Sequence, residues 1–207
     1  MISGREALAR LQDGNRHFVA GRIALAAVLD QSRRNALAMG QEPFAVILGC
    51  SDSRVPAELV FGQGFGDLFV IRVAGNIVAP SQVGSVEFAA GKLGVRLAVV
   101  LGHTRCGAVT ATLEELGQPV PNRSPNLRSI VDRIRPSVEP LLSTSLASDP
   151  DALVAQAVRA NVRAATDQLR HGSEILERLV QRDGLVIVGA EYSLDTGKVD
   201  FFDGVPA

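Results

Sequence analysis

The chain has 207 residues, 46% of them hydrophobic and 21% charged, with a formal net charge of -1. That is the composition of a soluble globular protein long enough to bury a substantial core. A near-neutral chain without a Lys/Arg tract offers no electrostatic footprint for nucleic acid or an anionic membrane, and its longest apolar runs, such as residues 44–48 and 97–101, are far too short to span a bilayer.

Residues 1–20 read as an amphipathic helix, with Leu8, Leu11 and Phe18 at helical spacing and Arg5, Arg10, Asp13 and Arg16 spread among them. Charges at that density leave no apolar h-region, so no signal peptide is expected and a cytoplasmic protein is. Residues 31–39 suggest a second short helix ended by Gly40. The two helices make an N-terminal arm, residues 1–40.

Four short, continuous apolar runs follow, at 43–49, 68–73, 97–102 and 185–190. Runs of this kind are expected of strands buried on both faces. Helical patterns lie between them, at 81–93, 108–116, 126–142 and 151–180, and alternation of buried strands with helices predicts a parallel sheet with covered faces. Residues 199–202, after the turn-like Asp195-Thr196-Gly197, read as a last edge strand folding back as a hairpin. The expected fold is therefore α/β: four parallel strands plus a C-terminal antiparallel edge strand, flanked by helices, in a single domain over 1–207. The Pro-, Asn- and Ser-rich stretch 119–125 reads as a loop inside that domain, because the fourth strand must still join the first three.

There are two cysteines, Cys50 and Cys106. In a cytosolic chain they are not expected to form a disulfide; they are buried apolar residues, or metal or catalytic groups, and their neighbours must decide. The first strand runs into Gly49-Cys50-Ser51-Asp52-Ser53-Arg54 and the third into Gly102-His103-Thr104-Arg105-Cys106-Gly107. Ligands of open α/β sheets sit at the carboxyl ends of strands. If these two strands are neighbours, Cys50, His103 and Cys106 converge. Thiolate and imidazole suit Zn²⁺, and three protein ligands leave the fourth position of a catalytic site open. A lone H-x-x-C would be read as a buried cysteine and a hydrogen-bonded histidine; C-x-D-x-R at a second strand end tips the balance to metal. Asp52 and Arg54 are either a solvated ion pair of little worth or an oriented acceptor for a metal-bound water, and Asp52 could also close the site as a fourth ligand. His17 and His171 have no such company and read as ordinary helix residues. Gly62, Gly64 and Gly66 follow no strand in the phosphate-loop pattern and read as a turn-rich connection.

The paired motifs Cys50-Ser51-Asp52-Ser53-Arg54 and His103-Thr104-Arg105-Cys106-Gly107 resemble the signature of the β-carbonic anhydrases. Residues 69–76 and 85–89 also resemble that family, densest over 41–116 and extending over nearly the whole chain. The resemblance implies reversible hydration of CO₂ to bicarbonate and a proton by attack of a zinc-bound hydroxide. It makes Cys50, His103 and Cys106 the zinc ligands, Asp52 the acceptor of a hydrogen bond from the hydroxide and Arg54 the residue that orients Asp52. It places Gln41 and the backbone N–H of Gly107 as donors to substrate oxygens, with Phe69, Ala74 and Phe88 lining an apolar pocket; Gln41 reads equally as a loop residue before Pro43. Phe88 stands where the family often has tyrosine, so that hydroxyl is missing. A subset of the family closes its site at lower pH, using a bicarbonate pocket with tryptophan at the position of Ile47. Arg72 and Tyr192 match that pocket, but this sequence has no tryptophan, and an open site is expected.

The family further implies a homodimer or homotetramer, joined in part by the N-terminal arm, although the arm could equally pack on its own domain. Carbon disulfide or carbonyl sulfide hydrolysis on the same fold, and a non-catalytic zinc protein, are the competing readings. Retention of Asp52 and Arg54 argues against the last, since a structural site needs a fourth protein ligand and no such pair.

Overall fold

The computed structural model describes residues 2–23, 31–117 and 124–206. Most of the predicted loop at 119–125 lies outside the described residues. Five strands, β1 (Ala45–Gly49), β2 (Leu68–Arg72), β3 (Leu97–His103), β4 (Val186–Tyr192) and β5 (Val199–Asp203), form one sheet in the order β2-β1-β3-β4-β5. The first four are parallel and β5 is antiparallel to β4. The order reverses between β1 and β3, which are hydrogen-bonded neighbours. That gap is the switch point where such sheets bind ligands.

The helices are α1 (Gly4–Val19), α2 (Gln31–Ala36), α3 (Ala57–Val60), α4 (Pro80–Gly91), α5 (Gly107–Gly117), α6 (Pro125–Val138), α7 (Pro150–His171) and α8 (Glu174–Arg182). They cover both faces of the sheet, which is why the strands read as unbroken apolar runs. Val46, Leu48, Ala98 and Val100 pack with residues of α4, α7 and α8, such as Val86, Val162 and Leu176. The alternate residues Ile47, Val99 and Leu101 pack with α1 and α3, against Leu8, Leu11 and Val60. Burial of Leu8 and Leu11 contributes about 1.5–3 kcal/mol each.

The first helix of the arm is thus laid on its own sheet. Ser3 caps it in a capping box with Glu6, and Gly14 lets it approach so closely that a Cβ there would fall on the Phe61 carbonyl oxygen. Buried Asn15 donates to the Val60 and Gly197 carbonyls and accepts from Val199 N–H, tying α1 to both ends of the sheet's sequence. By contrast α2 buries none of its residues. It is held through Arg33, which shares the buried Asp67 carboxylate with Arg10.

Several predicted boundaries differ from the observed ones by a residue or more, three of them for a clear physical reason. The helix expected over 151–180 is two helices, because Gly172 ends α7 and the Ser173 hydroxyl caps α8 by accepting from Leu176 N–H. The helix expected over 126–142 ends at Val138 and continues as a 3-10 segment, Glu139–Ser143, where Pro140 cannot donate to an α-helical ladder. The fourth strand runs two residues beyond the apolar run, to Glu191 and Tyr192, which pair with Gly102 and His103. No described helix is long and apolar enough to cross a membrane.

Candidate metal centre

Because β1 and β3 are adjacent, their carboxyl ends open side by side. Cys50 follows directly on Gly49, His103 is the last residue of β3, and Cys106 lies immediately before α5. Their ligand atoms lie within 4.8 Å of one another, and all three residues are buried. Beneath them Ile77 from the turn after β2 joins Val109 of α5, Ile134 of α6 and Val158 of α7 in a dry floor.

The turn between His103 and Cys106 is strained and anchored. Arg105 has φ +55°, a left-handed conformation unfavourable for a residue with a Cβ. It is held from both sides: Arg105 pairs with Asp195 at 2.8 Å, Thr104 N–H donates to the Tyr192 carbonyl, and the Thr104 hydroxyl accepts from Leu194 N–H. The end of β4 and the turn after it therefore also fix the loop that carries two of the three candidate ligands.

The imidazole is oriented by its backbone. His103 Nδ1 lies 2.9 Å from the Thr104 carbonyl oxygen, which can only accept, so Nδ1 carries a proton and Nε2 is the nitrogen left to face the cysteines. Nε2 is buried and has no protein hydrogen-bond partner. A buried, oriented ring nitrogen facing two sulfurs is costly unless it finds a partner, and a soft or borderline cation is one. The donor set therefore fits a metal of the zinc type.

The electrostatics favour the same end. Cys50 is pushed down to about 4, first by the hydrogen bond from the Cys106 thiol and then by His103 and the N–H groups of Gly75 and Asp52, against the opposing effect of burial. Cys106 is pushed up because its proton is engaged by Cys50 and because it is buried, although Val109 and Ala108 N–H at the start of α5 pull the other way. Burial works against protonation of His103, but the Cys50 thiolate, the Thr104 carbonyl and Asp52 outweigh it and raise its value.

Asp52 stands beside this group. Its Oδ2 is 3.8 Å from His103 Nε2. Arg54 occupies both its oxygens: backbone N–H and Nε donate to Oδ1, each at 2.9 Å, and Nη2 donates to Oδ2 at 2.7 Å. Those hydrogen bonds from Arg54 hold the carboxyl well below the usual carboxylate range.

Of the other residues singled out from the sequence, Gly107 opens α5 next to Cys106, and Ala74 sits in the turn Ala74–Asn76, whose Gly75 N–H donates to Cys50 Sγ at 3.3 Å. Phe69 and Phe88 form a pair of their own, ring centroids 6.2 Å apart, with Phe88 49% exposed. Phe69 lies three residues before Arg72, about 10 Å along β2 from the carboxyl edge. Gln41 is exposed and precedes β1, at the opposite edge of the sheet from Cys50. Within one chain it is not brought to the site.

Two further contributors act here, of which the sequence marks Arg72 only as a match to the family's second pocket and does not mark Asn161. Arg72, at the end of the neighbouring strand, donates from Nε to the Cys50 carbonyl at 3.0 Å and from Nη2 to the Asp52 carbonyl at 2.6 Å, clamping the loop that carries both. Asn161, buried in the middle of α7, donates to the Gly75 carbonyl at 2.8 Å. A polar residue in an apolar helical stripe was the available signal for Asn161. For Arg72 it was a charge closing an apolar strand.

A family model described as carbonic anhydrase matches residues 45–199. A carbonic anhydrase of Mycolicibacterium smegmatis is 42% identical over 192 residues, 92% of this chain and 89% of that protein. Carbonic anhydrase 2 of Mycobacterium tuberculosis is 39% identical over 196 residues, 94% of this chain and 91% of that one. Among solved structures, the β-carbonic anhydrase CafA of Aspergillus fumigatus matches with a TM-score of 0.74 at 28% identity, covering 98% of this chain and 91% of its own.

Proposed function

We propose that this chain, which belongs to the β-class carbonic anhydrases, hydrates carbon dioxide reversibly to bicarbonate and a proton on a zinc ion held by Cys50, His103 and Cys106. It is a carbonic anhydrase; zinc as the metal and the roles given below are the proposal. The observation that carries it is the buried, unpartnered His103 Nε2 facing two cysteines at the switch point of the sheet. When bound, zinc supplies Lewis acidity that brings the pKa of water down to about 7.

The residues around it divide the remaining work. Cys50, whose thiol is the more readily ionised of the pair, and Cys106, which must give up its proton, supply the negative charge that retains the ion. Asp52, kept ionised by Arg54, is an acceptor with no proton to give. It therefore takes a hydrogen bond from the attacking hydroxyl and turns that oxygen's lone pair towards carbon. The N–H of Gly107, at the start of α5, is suited to a developing carboxylate oxygen. The apolar floor of Ile77 and Val109 favours a small nonpolar substrate over water.

An open site is favoured over one closed by Asp52. Both Asp52 oxygens are engaged by Arg54, and Asp52 is not among the residues whose donor atoms cluster. The residues aligned with the family's second bicarbonate pocket are otherwise employed: Ile47 is fully buried in the sheet, Tyr192 is buried with its ring 6.4 Å from that of Phe18, and Arg72 holds two carbonyls.

Assembly belongs to the same proposal. Gln41 can meet a metal site only if another protomer supplies it, and the exposed Phe88 beside the edge strand β2 is a surface a second copy would cover. A homodimer or a homotetramer would satisfy this.

Stopped-flow CO₂ hydration on zinc-loaded protein from about pH 6.5 to 9 tests the reading, because that window spans the zinc-water pKa. Turnover near neutrality, lost together with zinc in Cys106→Ser, is expected. Activity confined to the alkaline end would mean that Asp52 closes the site. Full zinc occupancy without hydration at any pH would refute the proposal and turn attention to carbon disulfide and carbonyl sulfide.

A further inference from the structure

Asn161 is an unusual residue for its position. It lies mid-way along α7, 3% exposed, on the stripe formed by Ala157, Val158, Val162 and Ala165. An asparagine there is a poorer helix former than its neighbours and carries an amide into a dry core, which is costly unless the amide is bonded. Its Nδ2 donates to the Gly75 carbonyl, 86 residues away in sequence, at 2.8 Å.

Gly75 is the pivot of the turn after β2. It has φ +69° and ψ 19°, and Asn76 after it is also left-handed, at φ +44°. Two consecutive left-handed residues, the second with a Cβ, do not hold themselves. Three hydrogen bonds fix them: Asn76 N–H to the Val73 carbonyl at 3.0 Å, Asn161 to the Gly75 carbonyl, and Gly75 N–H to Cys50 Sγ. The turn is also wedged, since a Cβ on Gly75 would stand 2.8 Å from Ile134 Cδ1 and 3.1 Å from Ala108 Cβ. The N–H and carbonyl of Gly75 belong to successive peptide units joined at its Cα. In a turn wedged in this way, holding the carbonyl therefore restricts the direction in which the N–H can point.

We propose that Asn161 is a positioning residue for the metal: by fixing the Gly75 carbonyl it aims Gly75 N–H at the sulfur of Cys50, and so couples helix α7 to one of the ligands. The inference rests on the metal reading above. Hydrogen bonds to a ligating thiolate withdraw electron density from sulfur and fix the direction of its lone pairs, and partners of this kind are worth about 10–100-fold in metal affinity.

The test uses full-length protein and two readouts other than turnover. Zinc affinity is measured by chelator competition, and thiolate-to-metal charge transfer is read from the spectrum of the cobalt-substituted protein. The variants are Asn161→Ala and the near-isosteric Asn161→Leu, which keeps the packing and removes the donor should the alanine variant fail to fold. Leu169→Ala, a buried apolar truncation two turns further along α7, serves as the control for general destabilisation. Both Asn161 variants should bind zinc about 10–100-fold more weakly, with the charge-transfer band moved to lower energy because the sulfur is richer in electrons. The control should lose fold stability while keeping the band and the affinity. Affinity within about twofold of wild type and an unmoved band in the Asn161 variants would overturn the inference, as would an equal loss of affinity in the control. If the wild-type protein takes up neither zinc nor cobalt, the metal reading itself fails and the inference with it, an outcome distinct from failure of the Asn161 variants alone.

Discussion

In the metal-free protein the two cysteines should titrate far apart. Cys50 has its ordinary value of 9.0 pushed down to about 4, chiefly because the Cys106 thiol donates to its sulfur, with His103 and two backbone N–H groups adding to the effect. An ordinary thiol at 9.0 is about 0.1% ionised at pH 6, whereas one at 4 is about 99% ionised. Cys106 moves the other way, since ionising it would place a second negative charge against the first in a dry site. The folded protein is therefore expected to hold one thiolate between about pH 6 and pH 7, where the unfolded chain holds almost none.

Far-ultraviolet thiolate absorbance of the apoprotein, read against the same protein in denaturant, measures this directly. The signal should fall as the pH drops through about 4 and should vanish in Cys50→Ser. In Cys106→Ala the midpoint should rise, because the largest of the lowering influences is gone. The sign for stability follows from the depressed folded value. Ionised Cys50 favours the folded state fully above the unfolded value of 9.0, and the contribution drains away as the pH falls towards 4. Two thiolates appearing together near the ordinary value, with none at pH 6, would refute the reasoning. If it holds, metal capture near neutrality displaces a thiol proton from Cys106 alone.

Arg72→Ala removes the clamp on the Cys50 and Asp52 carbonyls; Arg72 is exposed, so solvent screening discounts its two bonds to about 1.5–3 kcal/mol together, the worth of one well-shielded charge-assisted bond. Zinc affinity measured by chelator competition should fall about 10–100-fold, with Arg72→Lys intermediate because an ammonium cannot fork; unchanged affinity would show that the loop holds without the clamp. Gly75→Ala forces a Cβ at φ +69° into Ile134 and should cost about 2–4 kcal/mol in urea unfolding, whereas a loss below about 0.5 kcal/mol would mean that the turn relaxes freely. Asp67→Asn leaves Arg10 and Arg33 without the carboxylate they share at 2.7 and 2.6 Å. With both arginines near half exposed the cost should be about 1–2 kcal/mol, and limited proteolysis should cut residues 31–39 faster. Unaltered cleavage would show that α2 is held by other contacts.

The legible part of this protein is the part in which neighbours in sequence are also the actors. The strands were readable because both faces of the sheet are covered, so that Ala45–Gly49 and Leu97–His103 carry almost no polar residue. The extension of β4 was hidden for the converse reason. Glu191 and Tyr192 are polar, yet they complete the ladder because Gly102 and His103 offer them register partners. The break between α7 and α8 was obscured by strong helical sequence on both sides; Gly172-Ser173 is a two-residue signal inside a thirty-residue pattern.

The same distinction orders the site. Cys50, His103 and Cys106 lie in two short motifs at strand ends, and only the adjacency of β1 and β3 was needed to join them. Arg72 and Asn161 act on backbone carbonyls 22 and 86 residues away, and backbone acceptors are the same at every position, so no motif records the pairing. What the sequence does carry is the cost of such residues. A guanidinium closing an apolar strand and an amide inside an apolar helical stripe are each unfavourable where they stand unless a partner repays them. Gln41 gives the opposite lesson. Its spacing from Cys50 is a matching feature of the family, yet the intervening residues include a whole extended strand, and an extended strand keeps its two ends apart. A fixed spacing from a ligand therefore need not record proximity within one chain, and strand geometry tells which spacings can.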